Sequence, residues 1–435
     1  MKEILAGVFC GLAVVCRAVA PDGQAASAAV TKAVEGRTGA DIQRAIDAVA
    51  AAGGGRVVVP AGDYPVGSIR LRSHVDLHLS RGSRLLGGTK SEDYDDFPDE
   101  ICSIHPEKSR KVLVYAYDAR NIAITGEGVI DGQGPLFFDT KNVPEGRSYA
   151  KPPVQRPRMV QFVRCTGVKL QGVTFKDSPC WTMLIRLCND IDVAGISITA
   201  DQRMINNDGI DFDGCRRVRV VDSRFKTGDD CLILRAMREK GSAERVVCED
   251  VIVSNCVLNS WCQTIRLGCP SDDTIRNAVF TDIVAEGRNG IFADYPTRYL
   301  RPDDEGFMDI SNIVIQNYSG SFRGSAVQIV SQPGVKVRNV DAFVFRNLNV
   351  KSAQPFRFIG NKGHEIKSVL LENVTAEIVG DKAPYEVRGC TGLVFRNVSF
   401  CGRKAPDGPV AAEPGSAAPL VRGTSSSWES KKKDT

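Results

Sequence analysis

Several common chemistries find little to work with in this sequence. Only four histidines stand among 435 residues (His74, His78, His105 and His364), and none falls in a recognisable motif, so they read as structural. No Cys-x-x-Cys pair and no Cys/His cluster at zinc spacing occurs, so the reading includes neither a metal site nor a cofactor. Charge of one sign is also missing: 56 basic and 52 acidic residues give a net charge of +4, and Lys431 to Lys433 supply three of the positives. That balance gives no ground for a nucleic-acid partner. Apart from one N-terminal stretch, no apolar run is long enough to span a bilayer. What remains is a chain with 43% hydrophobic and 25% charged residues, which excludes a mostly disordered protein.

The two ends differ from the middle. Residues 1–20 carry Lys2, an apolar run from Ile4 to Val15, and Ala18-Val19-Ala20. This reads as a secretory signal peptide cut between residues 20 and 28, and it predicts a secreted or periplasmic protein. A lipoprotein anchor at Cys16 is disfavoured by the bulky Val15 before it. Residues 404–435 mix Pro, Gly, Ala, Ser and Lys without apolar periodicity and are expected to be a disordered tail. The ordered domain is placed at 36–403.

Within that domain one short pattern recurs: apolar-x-apolar, two polar or small residues, apolar-x-apolar. It appears as GVKLQGVTF (167–175), DIDVAGISI (190–198), RVRVVDSRF (217–225), DVIVSNCVL (250–258), NIVIQNYSG (312–320), AFVFRNLNV (342–350), SVLLENVTA (368–376) and GLVFRNVSF (392–400), with weaker copies at 121–130 and 277–285. The first apolar residue of each copy gives anchors at Val168, Ile191, Val218, Val251, Ala278, Ile313, Phe343, Val369 and Leu393, spaced by 23 to 35 residues. Alternation with period two means strand. The polar pair in mid-pattern turns the chain between two short strands. One unit cannot bury its apolar face alone, but stacked units can, which predicts an all-β parallel β-helix. A leucine-rich repeat would show a tighter period and its own consensus.

A solenoid must cover its first coil. Residues 42–49, with i, i+4, i+7 apolar spacing, predict a short capping helix with Asp41 near its N-cap, ended by Gly53-Gly54-Gly55. Of the 14 cysteines, Cys165, Cys188, Cys215 and Cys248 each precede an anchor by three residues and read as small apolar fillers stacked on one another, with a few disulfides left open.

One region breaks the alternation. NNDGIDFDG (206–214) carries Asp208, Asp211 and Asp213, and TGDDC (227–231) adds Asp229 and Asp230. Asp208 and Asp229 are 21 residues apart, close to one coil, so the two groups should lie on neighbouring rungs. Crowded acids raise one another's pKa, which gives the protonated and ionised pair that cleavage of a glycosidic bond needs. A solvated acidic turn or a Ca²⁺ loop would use the same residue types. Adjacent strand residues face opposite ways, so Asp229 and Asp230 share a groove only if Gly228 makes a turn or bulge. Likewise Gly209 must allow Asp208 and Asp211 to share a face.

NNDGIDFDG followed by TGDDC resembles the Asn-Thr-Asp-Gly and Gly-Asp-Asp-Cys motifs of the polygalacturonase-like glycoside hydrolases, family 28. GEGVIDGQG (126–134), RPRMVQF (156–162) and SPCWTM (178–183) add to the likeness, which runs from about Gly39 to Cys401. The resemblance implies a right-handed single-stranded parallel β-helix and hydrolysis with inversion. Asp229 would be the general acid, Asp208 and Asp230 would position and activate water, and Asp211 would sit in the cleft wall. Two family features are absent. Gln263 takes the place of the histidine in Gly-His-Gly, and Phe292 and Asp294 replace the cations of the Arg-Ile-Lys uronate clamp. An Asp facing a uronate would repel it, whereas Phe292 and Tyr295 would suit stacking on a sugar. Arg235, Arg266 and Arg298 are candidates for an anionic subsite rebuilt from other coils, and Trp181 for either the cleft floor or the core. The reading is a monomeric glycoside hydrolase with a polysaccharide or oligosaccharide substrate and no membrane span. A polysaccharide lyase and a non-catalytic carbohydrate-binding β-helix are the alternatives.

Overall fold

A computed structural model describes residues 30–97, 109–239, 241–295, 299–302, 304–332, 334–361, 364–380 and 382–410. The expected signal peptide with Cys16, the tail beyond residue 410, and Arg298 lie outside them. The chain winds as a right-handed parallel β-helix, the hand that parallel crossovers adopt. Each expected anchor meets the next across a parallel ladder. Val168 lies opposite Ile191, Ile191 opposite Val218, Val218 opposite Val251, and Val251 opposite Ala278. The series continues through Ile313, Phe343 and Val369 to Leu393. All nine anchors are buried, so they form one apolar column inside the solenoid.

The mid-pattern polar residues turn the chain by adopting the left-handed backbone region. Asp222, Asn255, Asp282, Asn317, Asn347, Asn373 and Asn397 have φ between 50° and 56°. Asn and Asp tolerate that region because their short side chains hydrogen-bond locally. Here the side chains also bond along the stack. Asn397 Nδ2 donates to Asn373 Oδ1 at 2.9 Å, Asn373 to Asn347 at 3.2 Å, and Asn347 to Asn317 at 2.9 Å. Cys165, Cys188, Cys215 and Cys248 are buried free thiols, as their stacking role requires. Among the described residues every cysteine is unbridged.

Each coil holds a further strand that the repeat does not reveal. It runs through Arg158–Val163, Met183–Arg186, Ile210–Asp213 and Leu232–Arg235, paired in parallel coil to coil. Every residue of these four strands is buried, on both faces. The outward face is therefore covered, and it is the face that carries the site.

The capping helix spans Gly39–Ala51 and buries Ile42, Ala45, Ile46 and Val49 against the first coil. Thr38 is its N-cap, and Asp41 stands three residues on as the reciprocal partner of a capping box: Thr38 N–H donates to Asp41 Oδ2 at 2.9 Å. The parallel stack starts before this helix, where Val30–Ala33 pairs with the strand Gly55–Val59. At the other end the strand Cys390–Phe400 is covered by two short antiparallel strands, Arg403–Lys404 and Gly408–Pro409. No helix among the described residues is long and apolar enough to cross a membrane.

Candidate active site

The chain leaves strand geometry between Thr227 and Leu232, and this bend places the acid pair. Gly228 is needed for closeness rather than for an unusual φ, because a Cβ there would lie 2.1 Å from the Met204 carbonyl oxygen. Gly209 is pressed in the same way, 2.2 Å from the Cys231 carbonyl. Its N–H donates to Asp230 O at 2.8 Å, and Cys231 N–H donates to Gln263 O at 2.9 Å. Asp208, Asp230 and Gln263 therefore stand one above another on three successive coils. Asp229 sits beside this column, with its N–H on Asn207 O at 3.2 Å and its carbonyl accepting from Ser260 Oγ at 2.8 Å. The structure thus brings Asp208, Asp229 and Asp230 together, with Asp208 stacked on Asp230 rather than on Asp229.

The three carboxyls differ in their surroundings. Burial, and then the charge of Asp230, pushes Asp229 up to about 7. Burial and the charges of Asp229, Asp211 and Asp230 hold Asp208 well above the usual carboxylate range, and its Oδ1 has no hydrogen-bond partner. Burial also raises Asp230, but Arg266 and the Gln263 N–H at 3.0 Å oppose it. The Gln263 amide, with its nitrogen turned to the acid, donates to Asp230 Oδ1 at 2.9 Å and accepts from Arg266 Nη1 at 2.6 Å. Asp230 is the member best supported as an anion. Cys262 completes the group: its Sγ and one oxygen each of Asp229 and Asp230 lie within 4.8 Å of one another, and its thiol bonds to Asp229.

Four expected substrate contacts are buried. Asp211 is fully buried and ion-paired with Arg235, itself 2% exposed. Burial lifts Asp211 to about 6 against the pull of Arg235. Asp294 does not face a uronate, since Arg266 Nη2 holds its Oδ1 at 2.6 Å and Gln332 Nε2 its Oδ2 at 2.5 Å. Tyr295 is packed in the core and donates to the Asp273 carbonyl at 3.1 Å, so it does not stack on a sugar. Gln263, Arg266 and the half-buried Phe292 do border the acids, with Arg266 Cζ 4.7 Å from the Phe292 ring centroid. Trp181 is core, wedged between the guanidiniums of Arg158 (4.8 Å) and Arg235 (4.7 Å).

Sequence reasoning missed Trp261 and Cys262, which a bulge between Ser260 and Gln263 pushes out of the ladder. It also gave no role to Arg158, although RPRMVQF had been singled out, or to the buried Arg186–Asp213 ion pair.

The model of glycosyl hydrolases family 28 matches residues 53–356. The chain belongs to glycosyl hydrolases family 28. It is 28% identical over 245 residues to a probable polygalacturonase of Vitis vinifera, covering 54% of this chain and 48% of that one, so the match spans about half of the relative's length. Among solved structures, an exopolygalacturonase of Thermotoga maritima superposes with a TM-score of 0.70 at 22% identity over 86% of this chain and 93% of its own. A family 28 exopolygalacturonase of Yersinia enterocolitica follows at 0.67 and 18%, covering 85% and 77%. Gln263, expected where the family motif has a histidine, stands on the acid column beside Asp230. The replaced cation clamp, Phe292 and Asp294, is turned inward to serve Arg266.

Proposed function

We propose that this protein is a glycoside hydrolase that cleaves a pectin-like polysaccharide with inversion. The observation that carries the reading is the juxtaposition of Asp229, held up to about 7, with Asp230, held toward its anion by Arg266 and Gln263. Asp229 gives its proton to the glycosidic oxygen as the bond from that oxygen to the anomeric carbon breaks. Water attacks the anomeric carbon from the opposite face and passes a proton to Asp230. An inverting pair usually stands about 6.5–9.5 Å apart. Asp229 and Asp230 approach within 4.8 Å through one oxygen each, closer than that range, so the inverting reading takes the water to be held by Asp208 together with Asp230, which stand on successive coils. That the relatives are polygalacturonases by name supports polygalacturonate as the first substrate to try.

The test is product analysis on polygalacturonate and other pectic glycans. Reducing ends of inverted anomeric configuration by NMR are expected, with activity falling as pH rises through about 7, where Asp229 loses its proton. Asp229→Asn should lower kcat by about 10²-fold or more. Ultraviolet-absorbing unsaturated products would indicate a lyase, and a retained anomer would remove the inverting step. No cleavage of any glycan would leave only the scaffold.

A further inference from the structure

The family's floor clamp has no cation here, and the two buried arginines nearest the acids are already committed, Arg266 to Asp294 and Arg235 to Asp211. The wall beside Asp229 is different. Ser260 is in register with Gly287, and Gly287 with Phe322, so Trp261, Arg288 and Arg323 follow one another on three successive coils. Arg323 reaches back across Arg288 and lays its guanidinium 4.0 Å from the centroid of the Trp261 ring. Trp261 adjoins Cys262, which is bonded to Asp229.

Arg323 is solvent-exposed, and among the described residues it is packed on Trp261 and feels Glu286 only as a nearby charge, without an ion pair. The nearby Glu286 accepts instead from Asn259 Nδ2 at 3.2 Å. Partial burial and the like charge of Arg288, which has partners of its own, both hold Arg323 below the usual guanidinium range. Two cations stacked on adjacent coils repel, and an anion bound between them relieves that repulsion. Packing on an indole fixes the guanidinium plane, which suits two parallel hydrogen bonds to a carboxylate.

We propose that Arg323, fixed on Trp261 and backed by Arg288, binds the carboxylate of a uronic acid adjoining the scissile bond, so that the anionic subsite lies on the cleft wall and not on its floor. This rests on the hydrolase reading for its substrate class, but it concerns binding and can be tested apart from turnover.

The experiment titrates trigalacturonate and its fully methyl-esterified counterpart into the wild-type protein and into Arg323→Gln by calorimetry, with steady-state kinetics alongside. Arg323→Gln should weaken binding of the free acid about tenfold or more, leave the methyl ester unchanged, and raise KM with little effect on kcat. Arg323→Lys should recover part of the loss, because it restores the charge without the fork. Arg323 is exposed, so an unchanged melting temperature is expected and separates binding from folding. Equal loss on both ligands, no loss on either, or no binding of the acid by wild type overturns the proposal. Arg323-dependent binding without any hydrolysis would uphold the proposal and sink the hydrolase reading instead.

Discussion

Asp208 shows what the cluster costs the folded chain. Its carboxyl is raised in the native state, so between the ordinary carboxylate range and its native value the folded protein holds a proton that the unfolded chain has lost. Stability therefore falls as pH rises through that window, because the native state binds more protons there. Asp208→Asn mimics the protonated acid in nearly the same shape. It should stabilise the protein by about 1–3 kcal/mol at pH 8 and by little at pH 4, seen as a melting-temperature gain only at the higher pH. At this scale the acids were legible from spacing and from the family motif, but their partners were not. Asp294 looks like a cleft residue in sequence because nothing local says that Arg266 and Gln332 will close over it, 28 and 38 residues away. Tyr295 misled for a related reason: an aromatic beside a site is read by its neighbours in sequence, whereas its hydroxyl is satisfied by backbone from other coils.

Among the elements, the turns carry more information than the strands. Asn373 both adopts φ 54° and bonds to the coils on either side, donating to Asn347 and accepting from Asn397. Asn373→Gly keeps the backbone freedom and loses the ladder, while Asn373→Ala loses both. Alanine is therefore expected to cost more than glycine, about 1–3 kcal/mol against about 1, by denaturant unfolding. Asparagine in mid-pattern was readable as a turn, and two of the strands in each coil followed from alternation. The strand that follows the acids in each coil was not, because Met183–Arg186, Ile210–Asp213 and Leu232–Arg235 are buried on both faces and so do not alternate. Period two is a signal of one wet face, and a strand covered on both faces has none.

For the molecule as a whole, the two ends decide whether the stack stays a single solenoid. The helix Gly39–Ala51 closes the first coil, and Arg403–Lys404 with Gly408–Pro409 runs antiparallel along the last. An uncovered parallel edge is a template for another chain. Removing residues 402–435 should thus bare Cys390–Phe400, lower the melting temperature and shift the protein toward larger species in light scattering, compared with the chain cut after residue 410. The anchor intervals, uneven as they are, foretold the register from Val168 to Leu393, since each anchor has only one apolar column to join.

That Asp208 is set over Asp230 by hydrogen bonds between rungs, and not by the length of chain joining them, has a consequence for how such a solenoid diversifies. The segment between two rungs can lengthen, shorten or be exchanged wholesale, provided it returns to the same step of the staircase. New surface chemistry can then be acquired at the periphery while the column of acids stays as it was.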